Sequence, residues 1–434
     1  MSFNMLDFIE SKKNSEEHTQ DSIAQFVEEL CKKQIPDYQV SAWLMAVRLN
    51  GMTDSETSLL TDSLAHSGET IDLSTLSNTA DKHSTGGVGD KTTIIALPLA
   101  ASAGVNIVKF SGRALDFTGG TLDKIESIPG FKTSLTYKQI MDQAKRIGLV
   151  LAGASMYMVP ADRILYALRD VTSTVDSIPL IAASVMSKKI AGGAKSIVLD
   201  IKYGDGAFMR RFEDAESLAR LMIVIGKNLG RKMCGIISSM EMPLGECVGN
   251  SLEVIESIEV LKGNGPADLR ELSMEIASRM VSLSRDDSDI DGIKNELREK
   301  IRDGSAIEKF RQLVESQGGE TLVVDDYRYL PFPKYRFSYN ADRDGFITRI
   351  ASRKIGNLVR LLGGGRLKKG DDIDPAVGVR FLRKTSDAIA KGDRIVDAYY
   401  NDKEQREMII QMLGDAIEIS SKKGESLPII RKII

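Results

Sequence analysis

From about Asp72 onward the chain alternates short apolar, β-branched runs with glycine- and hydroxyl-rich turns and helix-like stretches, and this rhythm limits the fold more than any other feature. The runs are Thr93–Ala101, Val105–Phe110, Ser196–Asp200 and Cys234–Ser238. Apolar runs without polar alternation suit strands buried on both faces, which predicts a largely parallel sheet flanked by helices. The segment before them has a different period. Asp21–Leu30 places Ile23, Phe26, Val27 and Leu30 on one helical face, and Gln39–Leu49 does the same with Trp43, Leu44, Met45 and Val47. Thr53–His66 opens on Thr-Asp-Ser-Glu, a capping-box pattern.

Residues 161–189 return to the helical texture, so the chain is expected to revisit the N-terminal unit there. From Lys334 the period becomes two, in Tyr335–Tyr339, Gly345–Ile350 and Val377–Phe381, as in half-buried antiparallel strands. With 434 residues the chain is too long for one small core. The expected architecture is a two-lobed α/β protein with a small all-helical domain (1–68 and 158–193). A larger α/β domain with a mixed or largely parallel sheet follows (69–157 and 194–333), then a C-terminal α+β subdomain (334–434).

Lys and Arg number 58 against 61 acidic residues, a net charge of -3, which offers no broad basic footprint for nucleic acid. Cys31, Cys234 and Cys247 show no metal-ligand spacing and read as reduced thiols. The polar N-terminus lacks a signal-peptide core and no stretch is long enough to span a bilayer, so a cytoplasmic protein without a membrane partner is expected.

Asp81–Thr93 (DKHSTGGVGDKTT) concentrates what an oxyanion needs. Its glycines let the backbone turn and aim N–H groups inward, Lys82 brings a charge, and Ser84, Thr85 and Thr93 bring hydroxyl donors. The lysine precedes the glycines, so this is not a Walker A loop, and the spacing is not GxGxxG. A plain turn explains the glycines but not the Lys, His, Ser and Thr packed ahead of them. A second cluster, Lys109–Glu126 (KFSGRALDFTGGTLDKIE), follows the run Val105–Val108, where open α/β sheets place ligand loops. Two such loops can close around one phosphate.

Together these clusters resemble the signature of the thymidine and pyrimidine-nucleoside phosphorylase family. The likeness continues through LYALRDV (165–171), SVMSKK (184–189), GAFM (206–209) and LKGNGP (261–266). The resemblance implies reversible phosphorolysis of pyrimidine (deoxy)nucleosides such as uridine and thymidine to free base and (deoxy)ribose 1-phosphate. Inorganic phosphate is then a co-substrate, no other cofactor is required, and the chain forms a homodimer through its helical lobes. It further implies that Lys82, Ser84, Thr93, Lys109, Ser111 and Thr121 hold phosphate, with Lys109 marking the branch that accepts both uridine and thymidine. Tyr166, Arg169, Ser184, Lys188 and Phe208 would read the base, and His83 would act as general acid or hydrogen-bond donor to it. Independently of family, glycosidic cleavage leaves an anionic pyrimidine, and cations near its ring oxygens stabilise that charge as it develops; the resemblance gives that part to Arg169 and Lys188. His18 and His66 read instead as solvated surface histidines.

Some relatives hold a cation at positions matching Gly89, Lys91, Leu244, Cys247 and Glu256. Lys91 replaces a small hydroxyl residue there, so its ammonium is expected to stand in for the ion and a potassium or other metal site to be weak or absent. The second cluster also departs from the family pattern: Ala114, Asp116 and Phe117 stand for Gly, Gly and His. With Tyr203, Asp205 and Met156–Met158 these changes are expected around the pocket mouth, where they would alter nucleoside preference. Two further readings compete: an anthranilate-type phosphoribosyltransferase and a non-catalytic nucleoside sensor. Connectors 67–72, 151–159 and 192–195 are candidate hinges for closure of the two lobes.

Overall fold

A computed structural model describes residues 3–434 except 115, 369, 425 and 426. Four helices open the chain: α1 (Met5–Lys13), α2 (Gln20–Cys31), α3 (Asp37–Asn50) and α4 (Asp54–Ala65). The capping box forms as the sequence indicates: Glu56 N donates to Thr53 Oγ1 at 3.1 Å and Thr53 N to Glu56 Oε2 at 3.0 Å. The other carboxylate oxygen of Glu56 accepts from Lys12 Nζ (2.6 Å) and from His18 N (2.8 Å), tying three segments together. Ile23, Phe26, Val27, Leu30, Trp43, Leu44 and Val47 are buried, whereas Met45 is turned outward.

His18 corrects the expectation of a surface histidine. It is buried, stacked on Phe8 with ring centroids 3.6 Å apart, and its Nε2 accepts the indole N–H of Trp43 at 3.0 Å. His66, capping the end of α4, is exposed as expected.

The α/β part runs β1 (Ala80–Ser84), α5 (Thr92–Ser102), β2 (Ile107–Ser111), α6 (Thr121–Ile125), α7 (Tyr137–Ile147) and β3 (Leu149–Gly153). The chain then returns to the helical lobe as α8 (Pro160–Arg169) and α9 (Ile178–Ala191), where α9 packs on α4. It re-enters the sheet as β4 (Ser196–Tyr203), α10 (Phe212–Asn228) and β5 (Lys232–Ser239). Strands β1, β4 and β5 pair in parallel, as do β2 and β3, and a parallel bridge between Thr79 and Asn106 links the two groups. Ile430–Ile433 adds an antiparallel edge beside β5, so the sheet is mixed but largely parallel.

One run was misread in kind. Thr93–Ala101 lies in α5, not in a strand. Every residue from Thr92 to Ala101 is buried, so this helix has no polar face and its sequence carries no helical period.

The C-terminal part has its own core and antiparallel sheets, with Tyr335–Asn340, Gly345–Ile350 and Gly378–Phe381 as strands in the expected places. The three candidate hinge connectors lie side by side: Glu69 N donates to Tyr157 O (2.9 Å) and Ile71 N to Ala191 O (2.8 Å).

Candidate active site

The carboxyl ends of β1 and β2 open into a cavity of about 410 Å³ between the lobes, the place where parallel sheets present ligands. Its α/β wall carries His83, Ser84, Thr93, Lys109, Ser111 and Thr121, and its helical wall carries Val185, Lys188 and Lys189 of α9. Phe208 closes one side. Residues from both glycine-rich clusters and from the two lobes therefore meet in one space.

The first loop turns through Gly86 (φ +85°) and Gly89 (φ +76°), a conformation that side chains resist. A Cβ on Gly89 would also stand 2.6 Å from the carbonyl oxygen of Leu244. Asp90 organises the donors around this turn. Its carboxylate accepts from Ser84 Oγ in a very short contact and from Thr92 Oγ1 at 2.7 Å. Burial opposes the charge on Asp90, but Lys202, Lys82 and Lys124 outweigh it and hold the carboxyl well below the usual range.

Lys82 does not line the cavity. It is fully buried beneath it and donates to Thr92 Oγ1 (2.6 Å) and Thr93 Oγ1 (3.2 Å), so its charge reaches an anion through those hydroxyls. Burial lowers its pKa, against the pull of Asp90 and Asp200. Lys109 points the same way: burial first, then the neighbouring Lys189, push it well below the ordinary lysine value, although Asp81 opposes them. Lys189 crosses from α9 to β1 and donates to Asp81 Oδ2 at 2.7 Å, a buried link between the lobes. His83 is pushed well below the ordinary imidazole value by burial and by Lys189, Lys109, Lys82 and Lys188. It is therefore a neutral ring at pH 7, able to donate one N–H.

The expected base readers are arranged in two shells. Lys188 and Phe208 face the cavity. Ser184 sits one turn before Lys188, buried, and shares with it the carboxylate of Asp162: Ser184 Oγ donates to Asp162 Oδ2 at 3.0 Å, and Lys188 Nζ makes a very short contact with the same oxygen. Arg169 is turned away, its guanidinium spent on the carbonyls of Thr174 (3.3 Å), Val175 (2.7 Å) and Leu180 (3.1 Å). It holds the α8–α9 turn in shape, with Tyr166 against it at 5.8 Å.

Sequence reasoning missed Asp81, Asp90, Asp162, Lys189 and Lys202. Asp81 with Lys189, and Asp162 with Ser184 and Lys188, act through partners distant in the chain, so no local pattern marked them; Asp90 meets Ser84 and Thr92 within the first loop and could have been read there.

At the positions matched to the family's cation, Lys91 Nζ donates to Leu244 O (3.0 Å) and Cys247 O (2.7 Å) and makes a very short ion pair with Glu256. Burial disfavours this ammonium, but Glu256 and Glu253 outweigh it and raise its pKa. No group of His, Cys, Asp and Glu able to hold a metal occurs among the described residues.

The departures from the family pattern do not line the cavity as expected; of them Asp116, Phe117 and Asp205 face the C-terminal subdomain. Asp116 pairs with Arg360 at 3.1 Å, and its φ of +52° explains why glycine is usual there. Ala114 has no such positive φ. Phe117 is buried, with the Arg353 guanidinium 4.1 Å from its ring centre and Phe208 at 5.8 Å. Asp205 accepts from Arg353 N at 3.0 Å, and Tyr203 packs edge-on against Phe212. Asp116, Met156 and Tyr157 are exposed.

Lobes, loops and cavity define a class. Residues 6–68 match the family described as the glycosyl transferase helical bundle domain, and residues 76–307 match the glycosyl transferase a/b domain. Residues 346–420 match the pyrimidine nucleoside phosphorylase C-terminal domain. The pyrimidine-nucleoside phosphorylase of Geobacillus stearothermophilus is 46% identical over 418 residues, 96% of each chain. That of Staphylococcus epidermidis is 45% identical over 431 residues, 99% of each, and that of Bacillus subtilis 45% over 419 residues, 96% of each. The chain belongs to the pyrimidine-nucleoside phosphorylase family. Anthranilate phosphoribosyltransferase from Thermus thermophilus has the same fold, with a TM-score of 0.60 over 72% of this chain and 99% of its own at 16% identity.

Proposed function

We propose that the chain catalyses reversible phosphorolysis of pyrimidine nucleosides such as uridine and thymidine. The observation that carries this reading is the shared cavity: hydroxyl and lysine donors for phosphate on the α/β wall with neutral His83 beside them, and a cation on the helical wall.

In this reading Ser84, Thr93, Ser111, Thr121 and Lys109 hold phosphate, with Lys82 acting through the Thr92 and Thr93 hydroxyls. A phosphate oxygen attacks C1′ of the sugar as the C1′–N1 bond breaks, and the bonding electrons pass into the pyrimidine ring. Lys188 stabilises the resulting anion and neutral His83 donates a hydrogen bond to the ring carbonyl beside the scissile bond. The base then takes a proton and leaves, with the sugar 1-phosphate as second product. Ser184 reads the ring edge. Tyr166 and Arg169 support it by fixing the α8–α9 turn.

Lys91 supplies the charge that a bound cation brings in relatives, so turnover should be equal in sodium and potassium buffers. Exposed Leu6, Tyr38, Leu49 and Val171 on the helical lobe support homodimerisation there, measurable as solution mass. No helix of the described residues is long and apolar enough to cross a membrane, and a cytoplasmic site of action fits the reduced cysteines.

The test follows uridine and thymidine absorbance with and without phosphate. Base release that requires phosphate is the expected result. No release from either nucleoside at any phosphate level overturns the reading, and reaction only with phosphoribosyl diphosphate and magnesium replaces it with a transferase.

A further inference from the structure

The carboxylate of Asp162 belongs to the helical lobe's polar cluster, yet it touches neither phosphate loop. It lies in the first turn of α8, almost fully buried, with its Oδ2 serving both Ser184 Oγ (3.0 Å) and the Lys188 ammonium. A carboxylate can only accept hydrogen bonds, and a serine hydroxyl has one hydrogen to give. With that hydrogen committed to Asp162, Ser184 presents lone pairs alone to any other partner. Lys188 Nζ already uses this polarity, donating to Ser184 Oγ at 3.0 Å.

Resting on the proposed phosphorolysis, we infer that Asp162 is a specificity-determining positioning residue: it fixes Ser184 as an acceptor, so that the site reads the imide N–H of uracil and thymine. In those bases the ring edge runs carbonyl, N–H, carbonyl. Lys188 suits a carbonyl and an acceptor-only Ser184 suits the N–H between the two. Cytosine offers an unprotonated ring nitrogen at that place, so it faces a second acceptor and leaves both without a hydrogen. Discrimination thus comes from the polarity of one hydroxyl, enforced by a residue that does not itself meet the base.

Leu in place of Asp keeps the approximate shape and removes the acceptor, so the serine hydrogen is free to turn toward the base. Asn does not do this, because its amide oxygen takes the place of Oδ2, which faces both the Lys188 ammonium and Ser184 Oγ, and Ser184 remains an acceptor. The experiment measures kcat/KM for uridine and for cytidine in the wild-type chain and in Asp162→Leu and Asp162→Asn variants, with the KM for phosphate alongside. The ratio of uridine to cytidine should fall by about tenfold or more in Asp162→Leu, because a mismatched buried hydrogen bond dominates such discrimination. Asp162→Asn, which keeps an acceptor in place, should retain most of the ratio. Both substrates report on the same active molecules, so partial loss of folded enzyme cancels in the ratio, which a merely structural role would not move. If Asp162→Leu yields no folded enzyme, Ser184→Ala carries the test, since deleting the acceptor should lower the same ratio.

A ratio unchanged in Asp162→Leu, or in Ser184→Ala where that variant stands in, overturns the inference while leaving phosphorolysis intact. So does a rise in phosphate KM that matches the loss on uridine. A wild-type chain that splits no pyrimidine nucleoside overturns the phosphorolysis reading, and this inference with it.

Discussion

Among single residues, His18 makes stability depend on pH. Burial first, then Lys12, lower its pKa to about 4 against the opposing pull of Glu56. In the unfolded chain the imidazole titrates near its ordinary value of about 6.5. Above that value both states are neutral and the stacked, hydrogen-bonded ring contributes fully. As pH falls from there toward 4, the unfolded chain takes up a proton that the folded chain refuses, so stability is lost, by at most about 3 kcal/mol. Urea midpoints between pH 7.5 and 4.5 should therefore fall more steeply for the wild type than for a His18→Leu variant. The variant should start about 1–3 kcal/mol lower, because the Trp43 N–H loses its acceptor. Parallel slopes for the two proteins would sink this account. The same residue shows why the sequence misleads at this scale. His18 sits in the polar stretch Ser11–Gln20, and what buries it comes from Phe8 and from Trp43, 25 positions away. Thr53 and Glu56, by contrast, satisfy each other within one turn, so their pairing was legible at once.

Between elements, the second glycine-rich cluster leans on the C-terminal subdomain through Asp116–Arg360, Phe117–Arg353 and Asp123–Arg366. Asp116 adds a negative charge beside an anion site, which weakens phosphate binding unless a cation pairs with it; Arg360, 244 positions on, is that cation. Thr118 and Gly119, just beyond, line the cavity, so the pair screens a negative charge close to the phosphate donors. Arg360→Ala should raise the phosphate KM by about two- to fivefold, the scale of losing one partly exposed ion pair beside an anion. Asp116→Asn should do nothing of the kind, and the double variant should return close to wild type. Equal effects of Arg360→Ala in both Asp116 backgrounds, read as a double-mutant cycle on phosphate KM, would show that the two side chains act independently. The loop motifs themselves were readable because backbone turn and donor type are local properties. Their contacts with the third unit were not, because arginines of the C-terminal subdomain carry no mark of the loop they will meet. Helix α5 failed for a related reason, since burial on all sides erased the period that would have announced it.

At the scale of the whole molecule, the donors on the α/β wall and Lys188 on α9 belong to lobes joined by three connectors that run side by side. Lys189 and Asp81 bind the lobes at the cavity floor, so any change in lobe angle must pivot close to that buried pair and be taken up where the connectors touch. Gly68, against Tyr157 O, and Gly193 are equally tight there, and of the two only Gly193 also has a positive φ. Its φ is +82°, and a Cβ there would lie 2.1 Å from the carbonyl oxygen of Ile71, on the neighbouring connector. The backbone cannot relieve that overlap without parting the two segments, which breaks the Ile71–Ala191 hydrogen bond. Gly193→Ala should thus cost at least about 1–3 kcal/mol through strain at a left-handed position. It should also alter the lobe angle, so kcat and nucleoside KM should change together, as expected of a hinge substitution. Small-angle scattering gives the geometric readout. The wild type should contract when phosphate and a non-reactive pyrimidine nucleoside analogue are added together, and the Gly193→Ala chain should contract less. A variant that melts earlier yet turns over and contracts like its parent would make the contact a packing constraint and leave the hinge elsewhere.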